Sequence, residues 1–190
     1  MSFEDGLKWK GECEGVKEIR VTDFETDWGP FTSFFEDGRL ICLSRHKNPL
    51  LDAQPLLDRF VKRYTIVGDD SYPPALQVKR QLDEYFAGQR REFTIPYTLY
   101  ASPFCKRALE EVAKIPYGMV ASYRDIALAL GTRAYRAVGV AVKHNYLAII
   151  IPCHRVISAD GSIGGYSFYE GRKTKQRLLM LEGRLFAIDE

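Results

Sequence analysis

Cysteine and histidine are both scarce in this chain, and neither is clustered. The 190 residues hold four cysteines and three histidines. Cys13, Cys42, Cys105 and Cys153 are scattered with no Cys-x-x-Cys pair, which excludes a disulfide framework and a dithiol redox motif. Cys42 and His46 are four apart with Cys13 upstream, but three ligands in a strand-and-turn region fall short of a zinc site. No metal is expected. Long apolar runs are also missing, so no membrane span or membrane partner is expected. The acidic start Met1-Ser2-Phe3-Glu4-Asp5 has no signal-peptide apolar core, which points to the cytoplasm, or the nucleus in a eukaryote. No glycine-rich phosphate cradle follows a strand, and no cofactor is expected.

What remains is an ordinary globular composition, 46% apolar and 27% charged. The net charge of +2 hides an asymmetry. Met1 to Ile95 carries 14 basic against 17 acidic residues, and Pro96 to Glu190 carries 13 against 8. An acidic half joined to a basic half suggests that the second half meets a polyanion. Two small domains are expected, 1–95 and 96–190, with Arg90 to Pro103 as the connection between breakers Pro96 and Pro103.

In the first half, Val16 to Val21, Phe31 to Phe35 and Arg39 to Leu43 have strand patterns, the last two joined by the turn signal Glu36-Asp37-Gly38. Leu50 to Tyr64 has helical spacing. A second helix carries Val78, Leu82, Tyr85 and Phe86 on one face and stops at Gly88. No catalytic constellation is visible here, and a small antiparallel sheet packed with helices is expected to serve a structural role.

The second half is denser in signals. Ser102-Pro103 is an N-terminal cap and first turn. Ser122-Tyr123-Arg124-Asp125 is a capping-box pattern. Gly131 separates that helix from another over about Ala134 to His144, giving a helix-turn-helix pattern. The second of these helices is rich in Ala, Gly and Val, which allows close approach to a groove with few base-edge contacts. The run Ala148 to Val156 then has the pattern of a buried strand closed by Pro152. Cys153 follows, with His154 and Arg155 beside it, and both neighbours are expected to favour the reactive thiolate. A free cysteine is commonly a small buried hydrophobe, but such a residue gains nothing from two polar neighbours that need partners.

The string Pro152-Cys153-His154-Arg155-Val156 resembles the active-site signature of the O6-alkylguanine-DNA alkyltransferases. The resemblance runs from about Pro103 to Gly183. It takes in Pro116-Tyr117-Gly118, Ser122-Tyr123, Arg136-Ala137-Val138-Gly139, Asn145, Gly165-Tyr166-Ser167 and Leu178 to Gly183. It implies an α+β chain with an N-terminal ribonuclease H-like domain and a C-terminal helix-turn-helix, winged-helix-like domain. It further implies single-use transfer of an alkyl group from O6-alkylguanine, with O4-alkylthymine a further substrate, in duplex DNA to Cys153, after base flipping. A monomer is expected because the chain has no obvious exposed apolar stripe. On that resemblance His154 takes the thiol proton through a water, Glu182 orients His154, and Tyr123 donates to the departing guanine. Arg136 fills the base stack, Asn145 is the hinge, and Ser167 binds O6. Tyr166 lines the pocket, a carbonyl near Val156 reads the guanine amino group, and Arg155 is a structural anchor.

Glu182 at a helix C-terminus is electrostatically out of place, which itself favours a specific partner. Three departures crowd or reshape the pocket mouth. Tyr146 and Ala148 stand where family members commonly or sometimes have proline, and Phe168-Tyr169 replaces a usual glycine pair. A cysteine-free lesion binder is disfavoured by Cys153, and a sequence-specific regulator by the small-residue helix.

Overall fold

The computed structural model describes residues 15–184. Strand β1 (Lys17–Thr26) pairs antiparallel with β2 (Gly29–Glu36), which pairs antiparallel with β3 (Arg39–Ser44). The β2–β3 turn is Asp37-Gly38, both at positive φ, the conformation a two-residue hairpin requires. A fourth strand, β4 (Tyr64–Gly68), joins the open edge of β1 in parallel, giving the order β3-β2-β1-β4.

That strand corrects the single helix expected over Leu50 to Tyr64. Helix α1 (Leu50–Leu56) contains Pro55, which cannot donate an intrahelical hydrogen bond. The chain widens into a π-helical turn over Leu57–Val61, and Lys62 at φ 69° redirects it into β4. The apolar spacing was right for Leu56 and Leu57, which are buried, but Tyr64 belongs to the sheet. Helix α2 (Pro73–Phe86) packs Val78, Leu82, Tyr85 and Phe86 inward as expected.

The second half begins with α3 (Pro103–Ala113), where Ser102 holds the cap position without a side-chain hydrogen bond. A two-residue strand, β5 (Ala121–Ser122), leads into α4 (Tyr123–Ala129) and then α5 (Tyr135–Lys143). The Ser122–Asp125 capping box is formed in both directions. Gly131, at φ 70°, makes the turn between the two helices.

The buried run before Cys153 is not a strand. Ile149 takes φ 76°, and Ile151 N–H donates to the Leu147 carbonyl at 2.8 Å, so the chain folds into a tight turn. Positive φ is a real departure for a β-branched residue. The burial was legible and the conformation was not, because a short apolar run fits a turn as well as a strand. A 3-10 turn over Cys153–Arg155 follows, then β6 (Val156–Ile157) and finally α6 (Arg172–Leu181). β6 pairs in parallel with β5, tying the exit of the cysteine turn to the entry of α4.

One apolar cluster runs across both halves, from Phe31, Tyr85 and Phe86 to Val138, Leu147 and Leu178. A smaller one fills the N-terminal sheet around Ile19, Phe34 and Leu56. No helix among the described residues is long and apolar enough to cross a membrane.

Candidate active site

Cys153 begins its 3-10 turn only 5% exposed. Asn145, just past α5, donates from Nδ2 to the Cys153 sulfur at 3.0 Å and to the Ile151 carbonyl at 2.9 Å. Its Oδ1 accepts from Leu147 N–H at 3.0 Å. One amide therefore ties the end of α5 to the cysteine turn.

The neighbours of the thiol do not activate it in the way expected. Arg155 turns away from the sulfur and donates to Glu182, Nη2 to Oε1 at 2.8 Å and Nε to Oε2 at 3.0 Å. Its Nη1 donates to the Ile115 carbonyl at 2.6 Å, which ties the turn to the segment just after α3. His154 is fully buried, with Nε2 3.0 Å from Glu182 Oε1, while its Nδ1 has no partner among the described residues. Burial raises the Cys153 thiol above its ordinary value, opposed by hydrogen bonds from Asn145 and Tyr166 and the charge of Lys175. Burial is the dominant influence on the thiol, and the guanidinium expected to favour the thiolate is engaged with Glu182 instead.

Glu182 caps α6 and is almost completely buried. Burial alone would raise its carboxyl, but hydrogen bonds from His154 and Arg155 overcome that and bring it to about 2. Gly118 N–H also donates to it at 3.1 Å. Gly118 has φ 73°, and a Cβ there would stand 3.1 Å from the Glu182 carbonyl, so only glycine suits this approach. Burial lowers His154 below its usual value despite Glu182, leaving a neutral imidazole at pH 7.

Two members of this network were not visible in the sequence. Tyr85, from α2, donates its hydroxyl to Glu182 Oε1 at 2.6 Å and lies 3.4 Å from His154 Nε2. The N-terminal half thus reaches the site it was expected only to support. Lys175 is buried on α6, and its Nζ donates to the Val156 carbonyl and, at 3.5 Å, to that of Gly165. Burial lowers Lys175 to about 8. The spacing Lys175, Leu178, Leu179, Glu182 puts two charges on the buried face of one helix, a signal that could have found Lys175. The Val156 carbonyl is accordingly already engaged, and its side chain is core.

A cavity of about 340 Å³ opens beside the sulfur, lined by Tyr123, Gly139, Val142, Cys153, Tyr166 and Ser167 among others. Tyr166 Oη lies 3.9 Å from the sulfur, and Ser167 Oγ donates to the Lys143 carbonyl at 3.1 Å. Tyr123 is half-buried, and burial, then Cys153, raises its hydroxyl. Arg136 stands apart, exposed on the first turn of α5 and away from the cavity lining. Among the described residues no cluster of three or more metal-binding side chains occurs, and Cys13 lies outside them.

Residues 103–184 match the family model for the 6-O-methylguanine DNA methyltransferase DNA-binding domain, and residues 51–99 match that for its ribonuclease-like domain. The chain is 36% identical over 171 residues to the methylated-DNA–protein-cysteine methyltransferase of Metallosphaera sedula, covering 90% of this chain and 97% of that one. It is 57% identical over 108 residues to the Archaeoglobus fulgidus protein of the same name, covering 55% of this chain and 72% of that one. A crystal structure of the Mycobacterium tuberculosis O6-methylguanine methyltransferase superposes with TM-score 0.69 at 32% identity, over 91% of this chain and 97% of that one. A structure of the M. tuberculosis protein in complex with DNA gives 0.68, over 87% and 92%.

Proposed function

The chain belongs to the O6-methylguanine-DNA methyltransferase family, and from that premise we propose that Cys153 is the alkyl acceptor in direct-reversal repair of duplex DNA. The observation that supports this best is the buried series from Cys153 and Asn145 through the neutral His154 to the ionised Glu182, beside a cavity that opens next to α5. The aromatic and small lining of that cavity suits a single planar base rotated out of the stack. Arg136, exposed on the first turn of α5, is the residue assigned to fill the gap in the stack.

The chemistry follows from the protonation states. The Cys153 thiol passes its proton through a water to His154 Nδ1, the ring atom with no partner of its own. The ionised Glu182, held by Arg155 and Tyr85, stabilises the imidazolium that forms. The sulfur then bonds to the alkyl carbon as the carbon–O6 bond breaks, its electron pair leaving on O6. The Ser167 backbone N–H supports that oxygen, its hydroxyl being engaged by the Lys143 carbonyl. Tyr123 supplies a proton to the departing base, and the balance closes when the His154 proton passes through water to the Tyr123 oxygen. A thioether is chemically stable, so each molecule reacts once.

The test is the end point of transfer from excess duplex carrying O6-methylguanine. One methyl per protein molecule is expected, and none with Cys153→Ala. Continued turnover, or transfer by the variant, would overturn the assignment.

A further inference from the structure

Two cavities meet at Cys153. The smaller is the base site of the proposed reaction. The larger, about 440 Å³, shares Lys143, Cys153 and Ser167 with it but extends to β3 and the residues that follow, including Cys42, Arg45 and Lys47. Transfer of a methyl group leaves this second space unused.

Arg45 is the feature that calls for a ligand. It is 7% exposed, yet no carboxylate among the described residues lies within ion-pair distance of it. One Nη donates to the Trp28 carbonyl, and the guanidinium lies between the rings of Phe31 and Tyr169, at 4.9 and 3.8 Å from their centroids. Its Nε–H has no partner and no accessible surface, which leaves the second Nη as the donor a ligand could reach. A buried guanidinium without an ion-pair partner is costly. Burial pushes against its ionisation and Arg177 adds to that, with Tyr169, Glu170 and Glu25 partly opposing. Lys47, Lys143, His46 and His144 line the same space. The single carboxylate there, Asp52, already accepts from Ser44 at 2.6 Å.

We propose that this cavity receives the O6 substituent during transfer and favours substituents ending in an anion, the O6-carboxyalkylguanines, with Arg45 as the specificity-determining residue. The proposal rests on Cys153 being the alkyl acceptor. With guanine in the smaller cavity and the reacting carbon at the sulfur, whatever that carbon carries must occupy the remaining space at the sulfur, which is the larger cavity. The step balances as before. The S–C bond forms, the C–O6 bond breaks with its electron pair on O6, and the thiol proton ends on guanine. Cys153 is left as an S-carboxyalkyl thioether with its carboxylate against Arg45. A DNA phosphate carries similar charge, but Arg45 is buried behind Tyr169 rather than at an exposed rim.

The test measures single-turnover transfer from three duplexes that differ only in the adduct: O6-carboxymethylguanine, its neutral amide O6-carbamoylmethylguanine, and O6-methylguanine. The quantity read is the acid-to-amide rate ratio within each protein, so loss of folded protein cancels. Arg45→Gln is expected to lower that ratio about tenfold, as loss of one charge-assisted contact does, while Arg45→Lys retains most of it. Lys47→Gln, at an exposed position on the same wall, is expected to lower it about twofold, and it decides the matter if Arg45→Gln does not fold. An unchanged ratio in these variants overturns the proposal. So does equal slowing of all three adducts, which would assign Arg45 to the DNA backbone. Failure of the wild type to transfer even methyl would instead remove the alkyl-acceptor reading beneath it.

Discussion

Burial raises the Cys153 thiol and lowers His154, so at neutral pH the pair stands as thiol and imidazole, with one proton on sulfur. The base is lost when pH falls through the depressed His154 value, which lies below 6.5, and the thiol ionises by itself only well into the alkaline range. The single-turnover rate is therefore expected to hold level between about pH 6.5 and 8 and to fall below that window. A rate that climbs tenfold per pH unit across it would mean that free ionisation of the thiol, without His154, drives the reaction. Tyr85→Phe removes one charge-assisted hydrogen bond to Glu182 while keeping the ring against Phe93 and Tyr117. A loss of about 1.5–3 kcal/mol in urea unfolding is expected, with slower transfer. A loss under about 0.5 kcal/mol would show that the hydroxyl does not hold the carboxylate. Cys153 and His154 stand out in the sequence by adjacency and Glu182 as an ill-placed helix-end acid, whereas Asn145 enters only through the family resemblance. Tyr85 was not, since its hydroxyl partner is 97 positions away and its helix position already explains it as core.

At the scale of elements, short pairings fix the site. The β5–β6 ladder sets Tyr123 beside the cysteine turn, and Asn145 ties that turn to α5. The Ser122 cap therefore has a consequence beyond its helix. Ser122→Ala is expected to cost about 1 kcal/mol, measured by denaturant unfolding, and to slow transfer by loosening Tyr123. No change in stability would mean that the Asp125 half of the box suffices. Helices α2, α4 and α5 were readable from apolar spacing and caps. The Leu50 to Tyr64 segment was not, because Pro55 and the left-handed Lys62 break a pattern that the apolar residues alone continue. The turn before Cys153 was missed for a related reason. Ile149 adopts a conformation that local preference disfavours and only the surrounding packing enforces.

In the whole molecule the two halves share one apolar cluster, and polar contacts cross between them as well. Trp28 stacks on Phe86 at 4.6 Å and lies under the Arg177 guanidinium of α6 at 4.3 Å. In a Trp9→Phe background, Trp28 fluorescence and far-ultraviolet dichroism are expected to report one coincident unfolding transition. Two separated transitions would show that the halves unfold as independent units. The charge asymmetry of the halves was legible from composition, whereas their shared core was not, because it depends on contacts between residues far apart in sequence. The claim on which the rest depends is that the Cys153 sulfur takes the alkyl group, and peptide mass mapping after reaction with an O6-methylguanine duplex tests it most directly. A stoichiometric gain of one methyl on the peptide holding Cys153, absent from Cys153→Ala, is the expected result. A methyl found on another residue, or tight lesion binding with no gain at all, would contradict it.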